Sequence, residues 1–237
     1  KPKATVKRAI TASGLLEFPA SIAQRHCFLH GELYGGQATY TNNLTFNLDG
    51  KLDVARWQQS LGIVASRQQV LRMRCKESSG HTGFTCIIQP DTPQLEVISV
   101  TKKELAHHLF EQTVRNYAAN GDPLICCKLF QLAPDSFVFS ISAHHSVCDL
   151  YSFGVITREM IAAYDGRESE LPELPLQYAD YALADAIRSQ PSSVDARMRH
   201  YWYAQLYGSE SFVSDLPLDR PRNGSPGRGA AIHYEVP

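Results

Sequence analysis

Two adjacent imidazoles, His144 and His145, with the carboxylate of Asp149 four residues beyond the second, are the groups in this chain best placed to do chemistry. An imidazole exchanges protons near neutral pH and can hold developing charge by a hydrogen bond, so the pair points to proton transfer or to stabilisation of an intermediate. The acid fixes local geometry. A metal site is not expected, because neighbouring side chains on a continuing strand point apart and no third ligand is evident. Cys148 sits inside the same stretch, but nothing around it argues for a thiolate.

The elements that must present these groups can be read from the flanking pattern. The run FVFSIS over 137–142 reads as a buried strand, and the sequence from Leu150 onward reads as a helix running to Tyr164. The histidines therefore fall where a strand ends and the chain turns into a helix. Upstream, Ser21 is a good N-cap for a helix SIAQRHCFLHGEL, and Ala38 to Leu48 alternates as a strand with one apolar face. Asp53 to Arg67 has helical spacing. A meander of three short strands is expected over 71–75, 84–89 and 95–100, followed by a helix from Thr101 to Tyr117 with Glu104 completing a capping box. Residues 124–132 and 136–142 form a hairpin. Residues 1–17 read as a leader or linker and 18–166 as the lobe that carries the histidines. Beyond these, 167–237 reads as a proline-bearing connector, a helical region from Tyr178 to Leu206 interrupted at Pro191, an extended loop, and a strand beginning at Ala231.

Composition narrows the function classes. Apolar residues make up 43% of the chain and charged residues 20%, values of an ordinary globular protein with enough length to bury a core. The net charge of -1 favours neither nucleic acid nor an anionic membrane, and no stretch approaches the roughly 20 apolar residues of a membrane helix. The six cysteines match no zinc or redox spacing, which reads as a reducing, cytoplasmic setting without disulfides.

Five segments, in order, give the histidines a context. Ser21-Ile22-Ala23-Gln24-Arg25-His26-Cys27-Phe28-Leu29 resembles SxAQxRxWFL, and Arg67-Gln68-Gln69-Val70-Leu71-Arg72-Met73-Arg74-Cys75 resembles RHExLRTRF. His144 to Leu150 resembles HHxxxDG, Tyr178-Ala179-Asp180-Tyr181-Ala182-Leu183 resembles YxDYAxW, and Leu216 to Arg222 resembles LPTDRPRP. Together they resemble the condensation domains of nonribosomal peptide synthetases, within the chloramphenicol-acetyltransferase-like acyltransferases. The resemblance implies an α/β (α+β) fold, a two-layer sandwich of mixed sheet backed by helices, of which this chain carries the N-terminal lobe. It implies acyl or peptidyl carrier domains as partners, whose phosphopantetheine arms bring two thioesters together while the protein itself binds no cofactor. His145 would face the reacting groups as base or positioning group, and His144 would brace the loop. Asp149 would be a structural carboxylate. A buried carboxylate needs a partner; Arg67 is the candidate and Arg72 the alternative, unless Asp149 simply caps the helix from Leu150.

The chain departs from the pattern in three places. Leu150 stands where the motif has glycine, which would strain a positive φ or narrow a channel. His26-Cys27 and Gln68-Gln69 replace the usual pairs, as packing variations. The chain also stops at Pro237, about half the extent of the family's domains, without a counterpart of the second lobe's motifs. A half-tunnel lacks the wall that would hold two thioesters together, so the chain alone is expected to be inactive. Two alternatives stay open: a truncated condensation-like lobe that binds carriers or scaffolds them, as at the end of some fungal reducing polyketide synthases, and an acyltransferase that forms esters.

Overall fold

The computed structural model describes residues 9–10, 14–33, 38–78, 83–189, 195–209 and 217. Two short strands, β1 (Ala9–Ile10) and β2 (Leu16–Pro19), precede α1 (Ile22–Leu33). A turn of 3-10 helix leads into β3 (Thr41–Asp49), then α2 (Val54–Arg67), β4 (Met73–Glu77), β5 (Phe84–Ile88) and β6 (Leu95–Ser99). After α3 (Lys102–Thr113) come β7 (Asn120–Pro123), β8 (Ile125–Ala133), β9 (Ser136–His144), α4 (Leu150–Tyr164) and α5 (Tyr178–Arg188). These elements lie in a compact unit reaching Ser193; α6 (Asp195–Leu206) belongs to a second unit beginning at Val194.

The architecture is the expected mixture of helices and sheet, with strands shared between two sheets. One has the order β1-β2-β5-β4-β7 and the other β3-β9-β8-β6. Three expectations need correction. The strand at 95–99 does not continue a meander with β4 and β5; it crosses to the second sheet and runs parallel to β8. The leader expected over 1–17 contains β1 and the start of β2, which pair with each other, and β2 continues onto β5. Helix α3 also ends at Thr113 rather than Tyr117. The helical region expected from Tyr178 begins as α5, whose Ala179, Ala182 and Leu183 are buried in the main core. The expected interruption at Pro191, the extended loop (Pro217 apart) and the strand from Ala231 fall outside the described residues.

Helix ends are set by local chemistry. The Asp53 carboxylate accepts from the Arg56 amide at 3.0 Å, and Thr101 and Glu104 close a reciprocal capping box at the start of α3. Ser21 caps α1 by accepting from the Gln24 amide at 3.2 Å, while Asp185 on α5 accepts from the Ile22 amide at 2.8 Å. A carboxylate there meets the positive end of the α1 dipole.

Strand β9 is the spine of the site. It lies between β3 and β8, and from Phe137 onward every residue is buried. Phe137, Phe139 and Ile141 join the main core with Trp57, Leu61 and Val64 of α2 and Phe153, Ile156 and Met160 of α4. Trp57 meets Phe139 edge-on, with ring centroids 5.4 Å apart. Val138 forms a smaller cluster with Phe130, Val100 and the α3 leucines Leu105 and Leu109. Apolar cover on both faces explains why FVFSIS reads as a continuous buried run.

Candidate functional site

The site is built where β9 ends. The backbone amide of His144 donates to the Leu124 carbonyl at 2.9 Å, and that of His145 donates to the Tyr40 carbonyl at 2.7 Å. The chain then turns, with the Val147 amide returning to the His144 carbonyl at 3.0 Å. Asp149 ends the turn as the N-cap of α4. Its Oδ1 accepts from the Ser152 amide at 2.7 Å and from the Ser152 hydroxyl at 2.5 Å. Those bonds hold its carboxyl below the usual range.

The two histidines have opposite environments. His144 is 4% exposed and stacks on Phe28, with ring centroids 4.8 Å apart and 11° between planes. Its Nδ1 faces the Ser146 hydroxyl at 2.7 Å and accepts from the Ser146 amide at 3.3 Å. Burial first, and then the neighbouring His145, lowers its pKa to about 4, so the ring is neutral at pH 7. A nitrogen that accepts from an amide also has no room for a second proton. His145 is exposed, lies near the Tyr40 ring and lines an open cleft of about 530 Å³. Gln24 and Cys27 of α1, Asp149, Leu176 and Tyr178 also line that cleft. The imidazole expected to face the reacting groups is thus the accessible one, and its neighbour is the packed one.

Arg67 does not pair with Asp149. Its Nε lies 3.2 Å from Oε1 of Glu159, a residue of α4 that is 5% exposed, and its guanidinium donates to the Pro172 carbonyl. The alternative, Arg72, is spent on the carbonyls of Ala65 and Gln89. Asp149 therefore takes the capping role, for which Ser152 supplies two donors and no cation is needed. Gln68, one of the departures from the motif, donates to the same Glu159 oxygen at 3.0 Å. This second donor helps satisfy a buried carboxylate.

Leu150 is 81% exposed at the first position of α4, and no described non-glycine residue has a positive φ. Its backbone is therefore not in the strained region that a positive φ would impose, and it is not among the residues lining the cleft of this lobe. Cys148 is buried, with its thiol pushed up to about 12 by burial first and then by the Asp149 charge, which keeps it protonated. Among the described residues no group of three or more His, Cys, Asp or Glu could hold a metal ion, and no helix is long and apolar enough to cross a membrane.

Two residues that sequence reasoning did not assign to the site bind its loop directly. Gln24 Nε2 donates to the Ser146 carbonyl at 3.0 Å, and Asn42 Nδ2 donates to the Cys148 carbonyl at 3.1 Å. Gln24 falls in the first matched segment, which was a signal for its importance but not for its contact. Asn42 is one polar residue of an alternating strand and carried no signal.

The condensation-domain family matches residues 16–229, so the chain belongs to that family. A dimodular nonribosomal peptide synthase of Bacillus subtilis is 30% identical over 231 residues, covering 93% of this chain and 10% of that protein. A probable non-canonical nonribosomal peptide synthetase of Salinispora arenicola is 32% identical over 212 residues, covering 86% of this chain and 3% of that protein. Among solved structures, the X-domain in its complex with OxyB from teicoplanin biosynthesis superposes with a TM-score of 0.75 at 25% identity, over 92% of this chain and 48% of that one. The chain thus spans a small part of these synthetases and about half of that solved domain.

Proposed function

We propose that this chain forms one lobe of a site that makes an amide bond between two carrier-bound substrates. The amine of an aminoacyl thioester attacks the carbonyl of an acyl or peptidyl thioester. The new C–N bond forms as the C–S bond breaks, and the donor carrier's pantetheine thiol leaves with a proton. His145 takes the proton from the attacking amine or holds the tetrahedral intermediate by a hydrogen bond. His144, Asp149 and the Arg67–Glu159 pair fix the frame around it. The chain binds no cofactor in this reading; phosphopantetheine arrives on the partner carriers.

The observation that carries the reading is the division between the histidines: a neutral, buried His144 beside an exposed His145 on an open cleft. The test is turnover by this chain joined to the second lobe of a relative, with donor and acceptor carriers loaded. The His145→Ala variant should lose about 100-fold or more in kcat. Turnover equal to the parent's would refute the role of His145 and, with it, the reading.

A second reading is a module that binds carriers or recruits a protein without forming a bond. It is favoured by the likeness to an X-domain solved in complex with OxyB and by Leu150 in the glycine position. Specific binding of loaded carriers by the two-lobed protein, with no amide or ester product, would favour this reading over the first.

A further inference from the structure

We infer that Gln24 and Asn42 act together as positioning residues that hold the turn following His145 and keep its ring aimed into the cleft. The inference rests on the condensation reading for its activity arm alone.

The segment 145–148 has no ladder of its own, because β9 ends at His144 and α4 starts at Leu150. A turn between two elements moves freely unless its polar groups are tied. Here the ties come from separate elements. Gln24, in the first turn of α1, is 1% exposed. Its Oε1 accepts from the Ser21 amide at 3.1 Å, which orients the side-chain amide, and its Nε2 then reaches the Ser146 carbonyl at 3.0 Å. Met73 Sδ lies 3.4 Å from the same nitrogen and fills the remaining side. Asn42, on edge strand β3, pairs in register with Ala143 and sends its Nδ2 past the end of β9 to the Cys148 carbonyl at 3.1 Å.

The Tyr40 carbonyl, two residues before Asn42, accepts from the His145 amide at 2.7 Å. The chain is therefore tied at the His145 amide by the Tyr40 carbonyl, at the Ser146 carbonyl from α1, and at the Cys148 carbonyl from β3. Donors from two rigid elements outside the loop set the position of a side chain that makes no such bond itself. This is the arrangement that preorganised sites require. Asn43, the next residue, faces the other way: its Oδ1 accepts from the Thr45 hydroxyl at 3.2 Å and the Ser140 hydroxyl at 3.3 Å.

The test compares Gln24→Met, Asn42→Ala and Asn43→Ala in the two-lobed protein, with the His145 ring also followed by NMR in the present chain. The first two variants should lower kcat about 10- to 100-fold, with KM for both carriers changed less than about twofold, as misplacement of a reacting group predicts. Their His145 cross-peaks should broaden or double. Asn43→Ala should leave both readouts at parent values. The double variant should lose less than the product of the two single losses, because both residues hold one segment. If Gln24→Met does not fold, Asn42→Ala, half-buried on an edge strand, decides the matter. A folded Asn42→Ala protein with parent kcat and a sharp His145 signal overturns the inference, as does an equal effect from Asn43→Ala. If His145→Ala keeps full turnover, the condensation reading fails, and the NMR signature still decides whether the two amides position the ring.

Discussion

Acidification should destabilise this protein in a pH window set by His144. In the unfolded chain an imidazole takes its proton near pH 6.5, whereas in the folded protein burial lowers the pKa of His144 to about 4. Between these values the unfolded state binds a proton that the native state refuses, so stability falls as pH falls. Above about pH 6.5 neither state is protonated and the contribution is complete; below about pH 4 both are protonated and no further loss comes from this group. The gap of about 2.5 pH units, at about 1.4 kcal/mol each, sets a loss of about 3 kcal/mol across the window. That is a large part of the stability of a domain held by 5–15 kcal/mol. The Asp149 and Glu104 carboxyls, held below their ordinary values, contribute stability that is lost only at lower pH, as they protonate. The Glu32 carboxyl, raised by burial and by the neighbouring Glu77, acts in the opposite sense, so the histidine's part between pH 6.5 and 5 is the difference in slope between the parent and a variant lacking the ring. Urea unfolding at a series of pH values, followed by the fluorescence of buried Trp57 (2% exposed), measures the slope. In the His144→Asn variant the amide oxygen replaces Nδ1 as acceptor for Ser146 and that position no longer titrates, so the loss of stability on acidification should be clearly smaller than in the parent. Equal slopes in parent and variant between pH 6.5 and 5 would show that the ring is not the neutral, buried group described above.

Other perturbations have different signatures. Asp149→Ala removes the cap of α4 and should cost about 1 kcal/mol in urea unfolding, while Asp149→Asn should lose only a few tenths. Arg67→Met strands the buried Glu159 carboxylate and should cost about 3–5 kcal/mol, most of it recovered in the Arg67→Met, Glu159→Leu double variant; a single variant as stable as the parent would remove the pairing. Leu150→Gly alters an exposed first helical position and should change stability by less than about 1 kcal/mol, read as a small shift in Tm.

The parts of the fold legible in the sequence were those fixed by neighbours in the chain. Helix α2 follows its apolar spacing and starts at the Asp53 cap, and the Thr101–Glu104 box opens α3 where the pattern placed it. β9 and α4 lie where the apolar run and the following helical pattern put them. Decisions made across the sheet were not legible. β6 has the composition of one more short strand, and nothing local records that its partner is β8, about thirty residues on, rather than β5. The early end of α3 has a similar origin. Tyr117 leaves the helix and turns inward, where its hydroxyl donates to the Ser142 carbonyl at 2.8 Å, a contact with a strand that lies far along the chain.

The site divides along the same line. His145 was assigned to face the reacting groups by its match to the HHxxxDG pattern; in the structure His144 ends β9, buried on both faces like the residues before it, and His145 lies beyond the strand and is exposed. The partner of Asp149 could not be chosen that way, because a capping carboxylate and an ion-paired carboxylate look identical in sequence. The choice was made by distance: Ser152 lies one helical turn away and supplies two donors, while Arg67 is drawn to the Glu159 carboxylate, which is buried in α4 and shares Gln68 as a second donor. Buried charge decides such contests, since an unpaired carboxylate in the interior costs far more than an exposed cap. The same reasoning explains why the amides of Gln24 and Asn42 escaped notice. A neutral side chain has no charge to announce its partner, and its importance lies wholly in which carbonyl the fold brings within 3.1 Å of it.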